Sequence, residues 1–236
     1  MFSALTLIAT IGLLAIPTAL VCLPYAVVTG NANPLYKASL GIVRIAFRLA
    51  GIRVQVEGLE RVPAHTACIF MSNHVSNLDP PALFPRIPGR TSAFVKRSLT
   101  KVPVFGYGLK LGDFGPVDRD GRVESAMENV AAARRVLEKG LHITTFVEGT
   151  RSPDGRLLPF KKGPFYLAME SGAPVVPVTI VGTHHVLPTR RSSIRAGEVS
   201  VVFHPPLDPR QFSDRDALLA AVRDSIASAL PTEYRA

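Results

Sequence analysis

Between Ala4 and Val28 the chain carries no charged residue over 25 consecutive positions. A helix of about 20 apolar residues can cross the hydrocarbon core of a bilayer, so a run of this length must be covered by lipid or by other protein. A cleaved signal peptide would begin with a basic segment and carry a shorter apolar stretch, and no basic side chain precedes Ala4. Pro17 and Pro24 each remove a backbone donor and favour a kink, so a bent helix held in one leaflet stands beside a full span. The next stretch, Pro34 to Gly51, sets Leu40, Val43, Phe47 and Ala50 at helical spacing, with Lys37, Arg44 and Arg48 supplying positive charge. This pattern suits an amphipathic helix at a membrane interface, held by apolar burial and anionic headgroups. A helix packed on the core of the following domain is the alternative. If the first segment spans, these cations place the rest of the chain on the cytoplasmic side, as in a bacterial-type inner membrane.

The charge balance narrows the partners. Lysine and arginine number 27 against 18 aspartates and glutamates, a net charge of +9. A surplus of this sign attracts phosphate, whether in nucleic acid, lipid headgroups or a phosphorylated substrate. The cations are scattered and lack the interleaved aromatic platforms of single-strand binders, so nucleic acid is not an expected partner. Cys22 and Cys68 stand in apolar surroundings, form no C-x-x-C pair, and read as small buried residues.

After Gly51 the sequence alternates between two periods. Ile52–Val56 alternates apolar and polar residues, Ala67–Met71 is a short apolar run, and Thr91–Val95, Ile143–Val147, Val175–Val181 and Val199–Phe203 are further strand candidates. Arg122–Lys139 places Val123, Met127, Val130 and Leu137 on one helical face, with Gly140 to end it. A last helix is expected from about Ser213, as its cap, to Leu230, with Leu218, Val222 and Ile226 inward. The expected fold is α/β, with a mixed, largely parallel sheet flanked by helices and preceded by an N-terminal membrane-associated helical segment. The division falls into membrane-anchoring helices over 1–51 and an α/β domain over 52–236.

The chemistry concentrates where the second strand ends. His74 follows the apolar run and Asp79 lies five residues on. On a continuous helix that spacing points the side chains apart, so the pair can meet only if Ser76-Asn77 turns the chain. A carboxylate bonded to one imidazole nitrogen fixes the tautomer and frees the other as a general base. A loop histidine beside a helix-capping aspartate has the same spacing, and the pair alone does not decide between them.

Its surroundings do. The block Asn73-His74-Val75-Ser76-Asn77-Leu78-Asp79-Pro80 closely resembles the first motif of the glycerolipid acyltransferases, the lysophosphatidic acid acyltransferase family. Three further stretches follow in that family's order. The second runs from Lys96 through Leu99, Pro103 and Gly106 to Phe114-Gly115-Pro116-Val117-Asp118-Arg119. The third is Phe146-Val147-Glu148-Gly149-Thr150-Arg151-Ser152 and the fourth Val176-Pro177-Val178-Thr179-Ile180. Pro116 stands where the family usually has a bulky apolar residue.

The resemblance implies a membrane-bound O-acyltransferase of phospholipid biosynthesis. It would move a fatty acyl group from acyl-CoA or acyl-ACP to the sn-2 hydroxyl of 1-acyl-sn-glycerol-3-phosphate, giving phosphatidic acid. His74 would be the general base and Asp79 its orienting carboxylate. Lys96, Arg119, Glu148, Gly149, Thr150 and Arg151 would contribute to substrate binding, the arginines suiting a phosphate by geometry and permanent charge. Glu148 could equally orient Arg151 or a backbone amide, and Val176-Pro177-Val178 could wall an acyl site or simply fill the core. Expected partners are the lysophospholipid and acyl thioester, membrane lipids, and acyl carrier protein as one donor. No metal and no resident cofactor are expected. His184-His185, if on a strand, would point in opposite directions and could not share a metal. Glycerol-3-phosphate, another lysophospholipid or a lyso-aminolipid remains open as acceptor, and a non-catalytic lipid-binding protein is the reading from another class.

Overall fold

Two kinds of strand separate the middle of the sheet from its border. The computed structural model describes residues 2–102, 105–117, 123–188 and 193–235. Its strands are β1 (Ile52–Glu57), β2 (Ile69–Ser72), β3 (Thr91–Lys96), β4 (Gly115–Val117), β5 (His142–Phe146), β6 (Val175–Val181) and β7 (Gly197–Phe203), in the spatial order β1-β7-β6-β2-β5-β3-β4. All four residues of β2 are buried, as are the first six of β6. These are the continuous apolar runs expected of strands covered on both faces. In β7 burial alternates, and β1 exposes every second residue, so one face of that end of the sheet meets water. Strands β6, β2, β5, β3 and β4 run parallel to one another, and the β7–β1 pair runs the opposite way.

The helices are α1 (Phe2–Thr29), α2 (Asn33–Leu49), α3 (Asp79–Leu83), α4 (Arg97–Thr100), α5 (Phe105–Leu111), α6 (Val123–Glu138), α7 (Gly163–Ser171), α8 (Thr183–Val186) and α9 (Arg215–Ser228). They cover the sheet on both sides. On one face Phe70, Val176, Val178 and Val201 pack with Ala46 and Phe47 of α2 and with Ala82 and Leu83 beyond Asp79. On the other, Ile69, Met71 and Ile143 pack with Ala133 of α6, Phe165 of α7 and Leu218, Val222 and Ile226 of α9. The odd and even residues of β2 thus feed two separate cores.

Helix α1 continues through Pro17 and Pro24 as one element. Its most apolar 18-residue window is 6% buried, and it is long and apolar enough to cross a membrane. Leu13 and Val28 are 75% and 85% exposed, an apolar surface that no described residue covers. Helix α2 lies along α1 and contributes Ala46 and Phe47 to the core, while Lys37, Arg44 and Arg48 face outward. The core-packing alternative therefore holds for Ala46 and Phe47, with the cations on the outer face.

Two local expectations are corrected. Helix α9 is capped by Asp214, whose carboxylate accepts from the Ala217 amide at 2.8 Å, and not by Ser213. His184 and His185 sit in the helical turn α8 and not on a strand, with ring centroids 3.9 Å apart. Pro116 pairs with Val95 in β4, an edge strand, where a missing N–H is tolerated. The cap assignment is testable by thermal or chemical unfolding. Asp214→Ala is expected to cost about 1 kcal/mol, whereas Ser213→Ala should stay within about 0.5 kcal/mol.

Candidate active site

A parallel sheet delivers its loops to one edge, outside the carboxyl ends of the strands. Three neighbouring strands do so here. Strand β2 ends at Ser72 and leads to His74, β5 ends at Phe146 and leads to Glu148, and β6 ends at Val181 and leads to Thr183. Strand β3 ends at Lys96 on the same edge. Residues far apart in sequence therefore converge without any long loop.

The His74–Asp79 contact is made as the spacing required. After Asn73 the chain turns, and α3 begins at Asp79, so the carboxylate faces back along its own loop. Its Oδ2 accepts from His74 Nδ1 at 2.7 Å and from the amides of Val75 and Ser76 at 2.7 and 2.8 Å. Oδ1 accepts from the Thr183 hydroxyl. Asp79 is fully buried, and these four donors supply what water would otherwise supply. With Nδ1–H committed to Asp79, the neutral imidazole carries its lone pair on Nε2. The ring stacks on Phe146, centroids 4.2 Å apart and planes inclined by 24°, and its side chain keeps 17% exposure.

The main chain under His74 is clamped as well. Glu148 Oε1 accepts from the His74 amide at 2.7 Å, and the His74 carbonyl accepts from the Ser152 amide at 2.7 Å. Glu148 Oε2 accepts from the Leu158 amide at 3.0 Å, so both oxygens are taken by backbone. One step earlier, Asn73 uses both ends of its amide on Ile180, donating to the carbonyl at 2.9 Å and accepting from the N–H at 2.8 Å. The Ser76 hydroxyl donates to the Leu187 carbonyl at 2.8 Å. The loop that carries the histidine is thus tied to β6, to the turn after β5, and to the end of α8.

Two glycines make the turns possible. Gly182 has φ +92°, and a Cβ there would lie 2.4 Å from the Glu198 carbonyl, so no larger residue fits between β6 and β7 where Thr183 begins. Gly149 has φ +70° and turns the chain after Glu148, with its N–H on the Phe146 carbonyl at 3.0 Å. Thr150 is exposed and Arg151 half-buried beside this turn. Arg151 has no carboxylate partner among the described residues. Lys96 closes β3, and Arg119 lies outside the described residues.

Thr183 and Phe146 gave no catalytic signal in the sequence. Thr183 is 104 residues from Asp79, and Phe146 reads as an ordinary strand apolar residue. Neither cysteine approaches the pair in chemistry: Cys68 precedes β2, at the opposite end from His74, and burial pushes its thiol up to about 11.

Burial also drives the Glu148 carboxyl up to about 7, helped by the nearby charge of Asp79 and opposed by the His74 and Leu158 amides and by Arg223. A raised carboxyl pKa favours the fold below the unfolded-state value and loses that contribution as pH rises through the folded-state value. Stability should therefore fall between about pH 4.5 and 7 by roughly 3 kcal/mol from this group. In Glu148→Gln that slope should vanish from unfolding curves collected across the window, and an unchanged slope would contradict the assignment.

A family model described as Acyltransferase matches residues 53–181. The chain is 36% identical over 182 residues to a chloroplastic 1-acyl-sn-glycerol-3-phosphate acyltransferase of Brassica napus, covering 75% of this chain and 51% of that protein. It is 29% identical over 220 residues to the human 1-acyl-sn-glycerol-3-phosphate acyltransferase alpha, covering 92% and 76%. The chain spans about half the length of the first chloroplast relatives it matches. Among solved structures, that of the 1-acyl-sn-glycerophosphate (LPA) acyltransferase PlsC from Thermotoga maritima superposes with a TM-score of 0.79 at 28% identity, covering 95% of this chain and 92% of that one. With the matched region running from β1 to the end of β6 and enclosing both His74 and Glu148, the chain belongs to the acyltransferase family.

Proposed function

We propose that the protein transfers a fatty acyl group from an acyl thioester to the sn-2 hydroxyl of 1-acyl-sn-glycerol-3-phosphate, giving phosphatidic acid. The observation that carries this reading is the buried Asp79 carboxylate holding His74 Nδ1 at 2.7 Å, which leaves Nε2 as a base at a partly open edge. Nε2 takes the proton of the acceptor hydroxyl as its oxygen bonds to the thioester carbonyl carbon. Asp79 stabilises the imidazolium that results. When the tetrahedral intermediate collapses, the carbon–sulfur bond breaks, and the leaving thiolate of coenzyme A or acyl carrier protein takes the proton from Nε2. No acyl-enzyme forms, and the reaction written this way uses no metal or resident cofactor.

The remaining residues divide by what they already hold. Arg151 is assigned to the acceptor phosphate, with Lys96 and Arg119 as further contributors of positive charge. Glu148 is assigned to positioning His74, because both its oxygens are engaged by backbone amides. Gly149 and Thr150 form the turn that brings Arg151 to the site edge. An apolar cavity of about 550 Å³ between α1, α2 and α5, lined by residues such as Leu23, Leu40, Leu109 and Phe114, suits an acyl chain. The exposed apolar surface of α1 supports a membrane location, and the cations of α2 support a cytoplasmic face.

Purified protein in detergent, given acyl-CoA and a panel of lysophosphatidic acid, glycerol-3-phosphate and lysophosphatidylcholine, tests the acceptor. Lysophosphatidic acid should turn over fastest, and no turnover of it would sink the assignment. His74→Ala should lower kcat by about 10³-fold or more while lysophosphatidic acid binding stays within a few-fold.

A further inference from the structure

A second concentration of positive charge lies apart from His74. Arg44 and Arg48 near the end of α2, Arg53 in β1 and Arg86 after α3 line a cleft of about 580 Å³ whose floor includes Phe47 and Ile52. Arg44 donates to the Pro85 carbonyl, which fixes its guanidinium next to Arg86. Arg86 Nη1 is buried without a hydrogen-bond partner among the described residues. Burial, and then the charge of Arg44, lowers the Arg86 pKa, so the cluster carries uncompensated like charge. Arg53 reaches Glu198 only at 3.9 Å, with both side chains well exposed, and no other arginine of the four has a carboxylate partner among the described residues. Four guanidinium groups around one cleft, one of them with a buried unmet donor, suit an anion with several acceptor oxygens.

The location narrows the source. Strand β1 pairs in parallel with β7, and β7 is antiparallel to β6, so the N-terminal end of β1 lies on the edge that carries His74. Three strand spacings separate β1 from β2 in the sheet, about 14 Å. The cleft adjoins the end of α2, where Ile45 and Leu49 are exposed at 47% and 60% beside the uncovered apolar surface of α1. An anion reaching this cleft with its own apolar tail would place that tail along the same surface.

We propose that this arginine cleft is a second phosphate site, distinct from the acceptor site, and that the phosphate it takes is that of an anionic lipid headgroup. It is built by guanidinium geometry and a buried donor, and it differs in that from a diffuse basic face. The inference does not depend on the reaction at His74.

Calorimetric titration of the full chain in neutral detergent tests it, with short-chain phosphatidic acid in one arm and inorganic phosphate in the other. Wild type should bind two equivalents of the short-chain lipid. Arg151→Gln should remove the acceptor equivalent and leave the other. Arg48→Gln with Arg53→Gln, both exposed and so harmless to folding, should weaken the second equivalent by about tenfold or more. Arg86→Gln should do the same. The pair Lys37→Gln with Lys101→Gln removes the same charge elsewhere and should leave it unchanged. Much weaker binding of inorganic phosphate supports the lipid source. Equal binding of inorganic phosphate overturns the lipid source. A single equivalent in wild type, or equal losses in the arginine and lysine pairs, overturns the site. Loss of turnover in His74→Ala with the second equivalent intact would leave the two conclusions separable.

Discussion

Everything at the active edge depends on one buried carboxylate. Asp79 has no exposed surface, and an ionised carboxylate in that position is tolerated only when its lone pairs are filled. Four donors fill them: the His74 ring, the amides of Val75 and Ser76, and the Thr183 hydroxyl. Three of the four come from the chain between His74 and Ser76, so satisfying the carboxylate and shaping the loop are the same event. The fourth comes from Thr183 at the start of α8, just past β6, and ties that loop to the sheet. The orientation of the His74 ring is therefore a by-product of satisfying a buried charge.

The second carboxylate does a different job under the same pressure. Glu148 lies on the backbone of the histidine it supports, and burial raises its proton affinity. Between them the two groups fix His74 from the ring side and from the main-chain side, with Phe146 stacked against the ring. The parallel order β6-β2-β5 makes this possible, since it sets the three strand ends side by side on one edge. Chain direction, more than any single contact, decides which side chains can share the site.

Much of this was readable before any coordinates. The apolar runs at 67–71 and 175–181 read as buried strands, and the alternation at 52–56 as a strand with one buried face, because burial on two faces and on one leaves different patterns. The spacing of His74 and Asp79 required a turn if the two were to meet, and the motif resemblance gave the reason to expect that they do. What escaped has physical reasons too. Thr183 meets Asp79 only through the register of β6 against β2, which no local pattern encodes. Helices α4, α5 and α7 are short and lie among glycines and prolines, where periodicity is too brief to read. Ser213 and Asp214 are both capping residues by type, and only the direction of the chain entering α9 selects the second. The role of Glu148 was ambiguous because a carboxylate on a ligand and one on a backbone amide have the same sequence signature.

The central claim is that Asp79 makes His74 a base by holding Nδ1–H. Steady-state kinetics of Asp79→Asn with lysophosphatidic acid and acyl-CoA address it most directly, since the side chain keeps its shape and loses its charge. The account predicts a fall in kcat of about 10³–10⁴-fold, with KM for the acceptor within a few-fold of wild type. A kcat near that of wild type would contradict it.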